Sequence, residues 1–496
     1  LLFVALLGLS LPARATWSVV LMNRVTGEIV VAGATCLADL DLELYLPVIR
    51  VGKGAACAQS LIDSGAVNRK KIWNGFQNGL SPAQILAQLA AGDFQHKTRQ
   101  YGIVDRFNPP VGFTGNAAGA AKLDLAGAFG DYVYAVQGNV LTSPLVVEQL
   151  AAVLQQHPGD ASQKVLAAMQ AAYGLGGDGR CSCSPTAPTS CGAPPPGFTK
   201  SAHVGFFIIA RIGDSDGVCS GALGCATGNY FLDLNVIGKV ADPDPVVTLA
   251  AQYAAWRATR LGQPDHLTST AQADVQRLVA DGQSATQIAI QLKDIDAQPL
   301  ASGGASITVT SASSAALLGQ VGPLEDLGGG LYRLTYRAGT QAGVDRLRFT
   351  VGTTGQPVTL QPDLELPIDP LAPLHSGFSA VSAAVGAAVP LTLNLDPGEP
   401  YLLLGSAAGT SPGISLPFGV LPLNQDSILL ACLAAPNQGP LVNTLGNTSQ
   451  SGWSQARLLL AAQALQPLVG LDVDWSAVRL GALLSTTPAV GFAVVP

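Results

Sequence analysis

Residues 16–35 read TWSVVLMNRVTGEIVVAGAT. Two apolar runs, WSVVLMN and EIVVAGAT, flank the turn Arg24–Gly27. A Thr-Gly pair between such runs is a hairpin signal, so the stretch is read as the first two strands of an α/β domain. The eleven residues at the start, LLFVALLGLSL, are apolar but too short to span a bilayer comfortably. Ala13 and Ala15 stand at −3 and −1 relative to Thr16, the small-x-small pattern of a signal-peptidase site. Residues 1–15 are therefore read as a signal peptide, with a buried N-terminal strand or helix as the alternative. No Met or basic segment precedes Leu1, and the chain is expected to lack its true start. Cleavage after Ala15 would leave Thr16 first.

Working outward, GAACAQS reads as a third strand. SPAQILAQLAAGD reads as a helix, because Ser81 is an N-cap followed by Pro82 at the first helical position. RQYGIVDR, PVGFTGN and YVYAVQGNVL read as strands, and SPLVVEQLAAVLQQH and ASQKVLAAMQAAYG as helices. AHVGFFIIARIG and NYFLDLNVIG return to strand, and a helix after Asp244 closes the domain near residue 262. Blocks of strands alternating with blocks of helices suggest sheets covered by helices, an α/β/β/α sandwich. Residues 263–300 are expected to be a helical connector, since DGQSATQIAIQL echoes NGLSPAQILAQL. ASITVTSAS, GGLYRLTYRAG and VDRLRFTVG then alternate with period two. Tyr332, Leu334 and Tyr336 are expected on one face and Arg333, Thr335 and Arg337 on the other, in an Ig-like β-sandwich over 301–368. A second all-β module follows over 369–496 and ends in the strand VGFAVVP.

Of the 496 residues, 48% are hydrophobic and 12% charged, which favours packed globular domains over disorder. About three domains are expected from the length. The net charge of −7 and the lack of a Lys/Arg cluster argue against nucleic acid as a partner. No run after the first reaches the roughly 18 apolar residues of a membrane helix, and a secreted, periplasmic or cell-surface location is expected. In an exported chain, eight cysteines read first as disulfides. Cys219 and Cys225 are expected to pair, as is Cys191 with Cys181 or Cys183. Cys36 and Cys57 can pair across strands, and Cys432 is read as free. Zinc is the weaker alternative: Cys181, Cys183 and Cys191 lack zinc-ligand spacing, and His203 is the one histidine near them.

The five histidines, 96, 157, 203, 266 and 375, form no Ser-His-Asp pattern, and neither G-x-S-x-G nor H-E-x-x-H occurs. Thr16 needs neither. A threonine hydroxyl becomes a nucleophile when a base takes its proton, and a free N-terminal amine, with a reference pKa of about 7.7–8.0, is such a base. By position alone, Thr16 reads more readily as an ordinary polar residue after a cleavage site, since many mature chains begin with small polar residues.

TWSVVLMNRVTGEIVVAGATC, VGKGAACAQ, GLSPAQILAQLAAGD, RQYGIVD, GFTG, YAVQGNVL, GGDGR and DPDPV, in this order, resemble the bacterial and archaeal family "domain of unknown function 1028" over residues 16 to about 250. That family is grouped with the N-terminal nucleophile hydrolases. The resemblance implies their four-layer sandwich, Thr16 as nucleophile and its amine as general base. It implies the Asn139 amide and the Gly138 N–H as donors to a developing oxyanion, with Gln59 and Gln100 lining the pocket; the alternative for Asn139, and the favoured one for Gln59 and Gln100, is a hydrogen-bonded strand-end residue. Asp178 and Arg180 match the GGD-x-R segment, either as a bidentate pair that ties down a loop or as a contact to a substrate carboxylate. The implied activity is hydrolysis of an amide or peptide bond in a small molecule or peptide, without cofactor or metal. Cell-wall material enters as a substrate class by analogy with relatives that carry peptidoglycan-binding modules. A non-catalytic extracellular binding or scaffold protein on the same fold is the alternative. Two segments depart from the family pattern: the insertion CSCSPTAPTSCGAPPPGFT, followed by Lys200-Ser201-Ala202, and the loop VCSGALGCATG. The C-terminal module loosely resembles a β-sandwich of secreted planctomycete proteins, through EPYLLLGSAAGTSPG and LPLNQD. Oligomeric state is not legible.

Overall fold

The computed structural model describes residues 16–496 except 314, 354–356, 451 and 482–483. The stretch read as a signal peptide lies outside the described residues. The chain divides into two compact units, Leu1–Thr259 and Arg260–Pro496.

In the first unit, β1 (Thr16–Asn23) and β2 (Ile29–Thr35) form the expected hairpin, with Trp17 opposite Ala34 and Met22 opposite Ile29. Asn23 builds the turn, its Oδ1 accepting from the Val25 and Thr26 N–H groups at 2.9 Å each. Gly27 closes it at φ +74°, a left-handed conformation that glycine adopts without strain. The chain continues through α1 (Leu42–Tyr45), β3 (Pro47–Arg50), β4 (Gly54–Ser60), α2 (Val67–Gln77) and α3 (Pro82–Gly92). Then come β5 (Arg99–Asp105), β6 (Val111–Thr114), β7 (Leu123–Phe129) and β8 (Tyr132–Asn139). Helices α4 (Leu145–Gln156), α5 (Ala161–Gly174) and α6 (Gly179–Ser182) precede β9 (Val204–Ala210), β10 (Leu232–Ile237) and α7 (Pro245–Ala258).

The strands form two antiparallel sheets, β10-β9-β2-β1-β8-β7 and β3-β4-β5-β6. Successive side chains of a strand point to opposite faces, and here both faces are covered. Val20, Ile29 and Val31 meet Ile49 and Val104 between the sheets. Val19, Leu21 and Val30 pack outward on Leu150, Val165 and Leu249 of α4, α5 and α7. On the far side, Val48 and Ile103 pack on Ile72, Phe76 and Ile85 of α2 and α3. The result is a mixed α/β unit layered helix, sheet, sheet, helix. This double cover explains why β1 and β2 are nearly continuous apolar runs.

The helix starts follow local chemistry. Ser81 caps α3 in a reciprocal box with Gln84, and Pro82 occupies the first turn, where its missing N–H costs nothing. Asp160 and Gln163 repeat the box at α5.

Cys219–Cys225 and Cys183–Cys191 are bonded as expected. Cys36 is bonded to Cys181, not Cys57, which corrects the cross-strand pairing. Cys57 lies on β4 within the core between the sheets, free and fully buried. Burial pushes its thiol up to about 12, against a smaller opposing pull from a hydrogen bond with Ser18. Because the folded pKa is raised above the unfolded value of about 8.5, the neutral thiol's contribution is intact below that pH and is lost as pH rises toward the folded value. Urea midpoints measured between pH 7 and pH 11 are expected to fall more steeply for the wild type than for Cys57→Ala. Parallel slopes would contradict this.

The second unit is all-β apart from short helices. The helical connector expected over 263–300 is instead strand: Thr270–Ala273, Leu278–Val279 and Ala285–Gln291. Thr286, Ile288 and Ile290 are buried and alternate with more exposed Gln287 and Ala289, which is period two. The echo of NGLSPAQ misleads because Ala285 and Thr286 stand where Pro82 and Ala83 do, and Gln287, the counterpart of Gln84, lies on a strand; Asp281 instead makes a turn, accepting from the Gln283 and Ser284 N–H groups. Ala285–Gln291 pairs with Leu331–Ala338, whose Tyr332, Leu334 and Tyr336 face the core as expected. The first sandwich thus begins near residue 265, and two five-stranded sheets enclose its core. The second sandwich packs a four-stranded sheet on a six-stranded one and ends in Val490–Val495.

Candidate active site

In an antiparallel sheet, the start of one strand lies beside the ends of its neighbours. Thr16 opens β1 opposite Asn139, the last residue of β8. On its other side, the Trp17–Ala34 pair places the end of β2, and so Thr35 and Cys36, at the same sheet edge. Thr16 and Asn139 are both buried, at 1% and 0% exposure.

Beneath Thr16 lies a network of neutral amides and hydroxyls contributed by both sheets. The Gln59 amide donates to the Thr16 carbonyl at 3.0 Å and to Gln100 Oε1 at 2.7 Å. Ser18 donates to Gln59 Oε1 at 2.6 Å and accepts from Gln137 at 2.6 Å. The Gln100 amide reaches Thr114 Oγ1 at 2.8 Å and the Gly138 carbonyl at 2.9 Å. Asn139 Nδ2 donates to Ser60 Oγ at 3.3 Å. Gln59 is therefore committed to holding the strand that carries Thr16, and Gln100 to holding Gln59 and the neighbouring β8. Ser18, Ser60 and Gln137 were not singled out from the sequence. Their signal is a polar residue inside an apolar run, as in WSVV and YAVQGN, because a buried polar group needs a partner.

Glycines make this network possible. A Cβ on Gly102 of RQYGIVD would fall on Gln137 Oε1 and lie 2.9 Å from Ala135 Cβ. Gly102→Ala is expected to cost ~2–4 kcal/mol, the sum of overpacking and a displaced buried amide. Urea denaturation checks this, and a change under 0.5 kcal/mol would contradict it. Gly177 of GGDGR, at φ +51°, packs against the Trp17 indole, where a Cβ would stand 2.6 Å from the ring.

Asp178 is fully buried and accepts from the Cys36 N–H at 2.7 Å. Arg180 grips it in a bidentate pair, Nε to Oδ1 at 3.1 Å and Nη2 to Oδ2 at 2.8 Å, and also reaches Thr35 Oγ1 at 3.4 Å. The pair ties the start of α6 to the end of β2. The Cys36–Cys181 bond reinforces the same junction. His203 lies within 4.8 Å of both sulfurs, but the disulfide consumes the two thiolates a metal would need. Burial, the largest influence, and the Lys200 charge hold the His203 imidazole below its usual range.

A protein-family comparison matches residues 265–363 to invasin domain 3. No curated protein matches the chain. Among solved structures, a DUF1028 protein from Silicibacter pomeroyi is similar at 17% identity, over 49% of this chain and 85% of that one, with a TM-score of 0.35. The adhesin InvE of Yersinia pseudotuberculosis is similar at 18% identity, over 45% of this chain and 58% of that one, with a TM-score of 0.18. The chain thus spans little more than half of that adhesin's structure. The family match to the N-terminal unit ends within the Cys- and Pro-rich insertion that departs from the family pattern: residues 16–187 match the family of unknown function DUF1028.

Proposed function

We propose that residues 16–259 form an N-terminal nucleophile hydrolase-like domain that cleaves an amide or peptide bond. In this reading Thr16 becomes the nucleophile when cleavage after Ala15 frees its amine. The observation that carries the reading is the position of Thr16 at the head of a central strand, opposite the Asn139 amide and anchored through its carbonyl by Gln59. The amine takes the hydroxyl proton, Oγ attacks the substrate carbonyl, and the tetrahedral intermediate collapses to an ester as the amine returns the proton to the leaving nitrogen. Water activated by the same amine then hydrolyses the ester.

An oxyanion needs preorganised donors. Gly138 is paired with Trp17 on one side and Leu123 on the other. A strand flanked on both sides spends its N–H groups in the ladder, so the reading favours the Asn139 amide as the donor. Asn139→Ala is expected to lower kcat by about 10²–10³-fold with little change in KM. An unchanged kcat would remove Asn139 from the mechanism.

Screening an amide and peptide panel that includes cell-wall fragments tests the reading. Hydrolysis is expected from protein beginning at Thr16 and is expected to vanish when that amine is acetylated. Hydrolysis that survives acetylation would refute the amine as base.

A second reading, a non-catalytic extracellular binding or scaffold protein, is favoured by one observation, the invasin domain 3 match over 265–363. Both readings place the chain outside the cell or at its surface, in keeping with three disulfides.

A further inference from the structure

The two sheets of the C-terminal sandwich do not close on each other everywhere. A cavity of about 460 Å³ lies between strand Trp453–Ala461 of one sheet and strands Asp472–Arg479 and Val490–Val495 of the other. Protein interiors are packed with few voids larger than a water molecule, whereas ligand pockets run roughly 300–1,000 Å³. This space is the size of a site. Its floor is buried and apolar: Leu458, Leu465, Val473, Trp475 and Phe492. Its exposed rim carries Ser427, Ala431 and Gln438.

Among the described residues that line it there is no Asp, Glu, Lys, Arg or His, so a charged group inside would be left without a partner, at high cost. The Cys432 thiol in the lining is held neutral, its pKa raised by burial. The polar groups at the rim are a neutral hydroxyl and a neutral amide. Beside them, the Asp426 carboxylate is committed to the Leu429 and Ala407 N–H groups and disfavours an anionic head. An apolar floor under a neutral polar rim matches a molecule with one hydrocarbon tail and one uncharged head.

We propose that the C-terminal sandwich binds a neutral single-chain amphiphile, such as a long-chain alcohol, with its tail against Trp475 and Phe492 and its head at Ser427 and Gln438. The proposal is independent of any chemistry at Thr16.

Bromoundecanol tests it with the full chain, since bromine quenches tryptophan fluorescence on contact. Saturable quenching by one molecule per chain is expected, and Trp475→Phe should abolish it. Ala431→Trp, at an exposed rim position, should weaken apparent affinity at least about tenfold. Bromoundecanoate, with an anionic head, should bind at least about tenfold more weakly. Vesicles of brominated phosphatidylcholine, which offer chains only from within a bilayer, should leave Trp475 unquenched. Non-saturating quenching, equal affinity for the carboxylate, or quenching by the vesicles would each overturn the proposal. Should Trp475→Phe fail to fold, saturation in the wild type and the Ala431→Trp shift still decide it.

Discussion

Thr16→Ala is expected to lower amide hydrolysis by at least about 10⁴-fold, the scale of losing a nucleophile in an enzyme whose groups act as a unit. Thr16→Ser should keep a measurable fraction of the rate. The serine retains the hydroxyl and the amine and loses only a methyl group. The alanine variant should still fold. Its amine, its carbonyl contact with Gln59 and its place opposite Asn139 belong to the backbone and to other residues. An intact melting transition with no turnover would locate the loss in chemistry. If Thr16→Ala hydrolyses as fast as the wild type, the nucleophile is another residue and the mechanism falls.

The second large effect concerns the junction beside Thr16. Cys36 and Cys181 are 145 residues apart in sequence, whereas Cys183–Cys191 and Cys219–Cys225 span only 8 and 6. A cross-link that closes a long loop removes more freedom from the unfolded chain. The entropy estimate is about 5 kcal/mol for the long loop and about 2–2.5 kcal/mol for the short ones, with measured values often lower. Cys36→Ala with Cys181→Ala is therefore expected to cost the N-terminal unit ~3–5 kcal/mol. The backbone N–H at position 36 that Asp178 accepts from is kept in the variant, so the loss is that of the cross-link alone. Denaturant unfolding of the three double variants checks the order. If removing a short-loop disulfide costs more than removing Cys36–Cys181, loop length is not the controlling factor here.

Much of this fold is legible locally. The 16–35 hairpin follows from two apolar runs around a Thr-Gly turn, and α3 from a serine, a proline and a glutamine in capping positions. What local pattern does not carry is pairing at a distance. Local pattern does not reveal β7, because LDLAGAF is a half-buried edge strand holding a glycine and an aspartate. Over 263–300 the Gly-Gln-Ser turn mimics a helix start, while the alternation of Thr286, Ile288 and Ile290 with Gln287, Ala289 and Gln291 carries the strand signal. The sequence offers Cys36 a partner nearby in Cys57, while its actual partner, Cys181 on α6, is 145 residues away. At the site, the motifs led to Thr16, Asn139 and the two glutamines. That Gln59 holds β1 and Gln100 holds β8 is visible only with both sheets present. Gly102 carried a usable clue, since a glycine inside a buried strand marks a close approach.

The most direct test of the central claim is the mass of the N-terminal peptide of the mature exported protein. The account predicts a chain that begins at Thr16 with a free amine. A chain that begins elsewhere, or with a blocked Thr16, would contradict it, because nucleophile and base would then never occur on one residue.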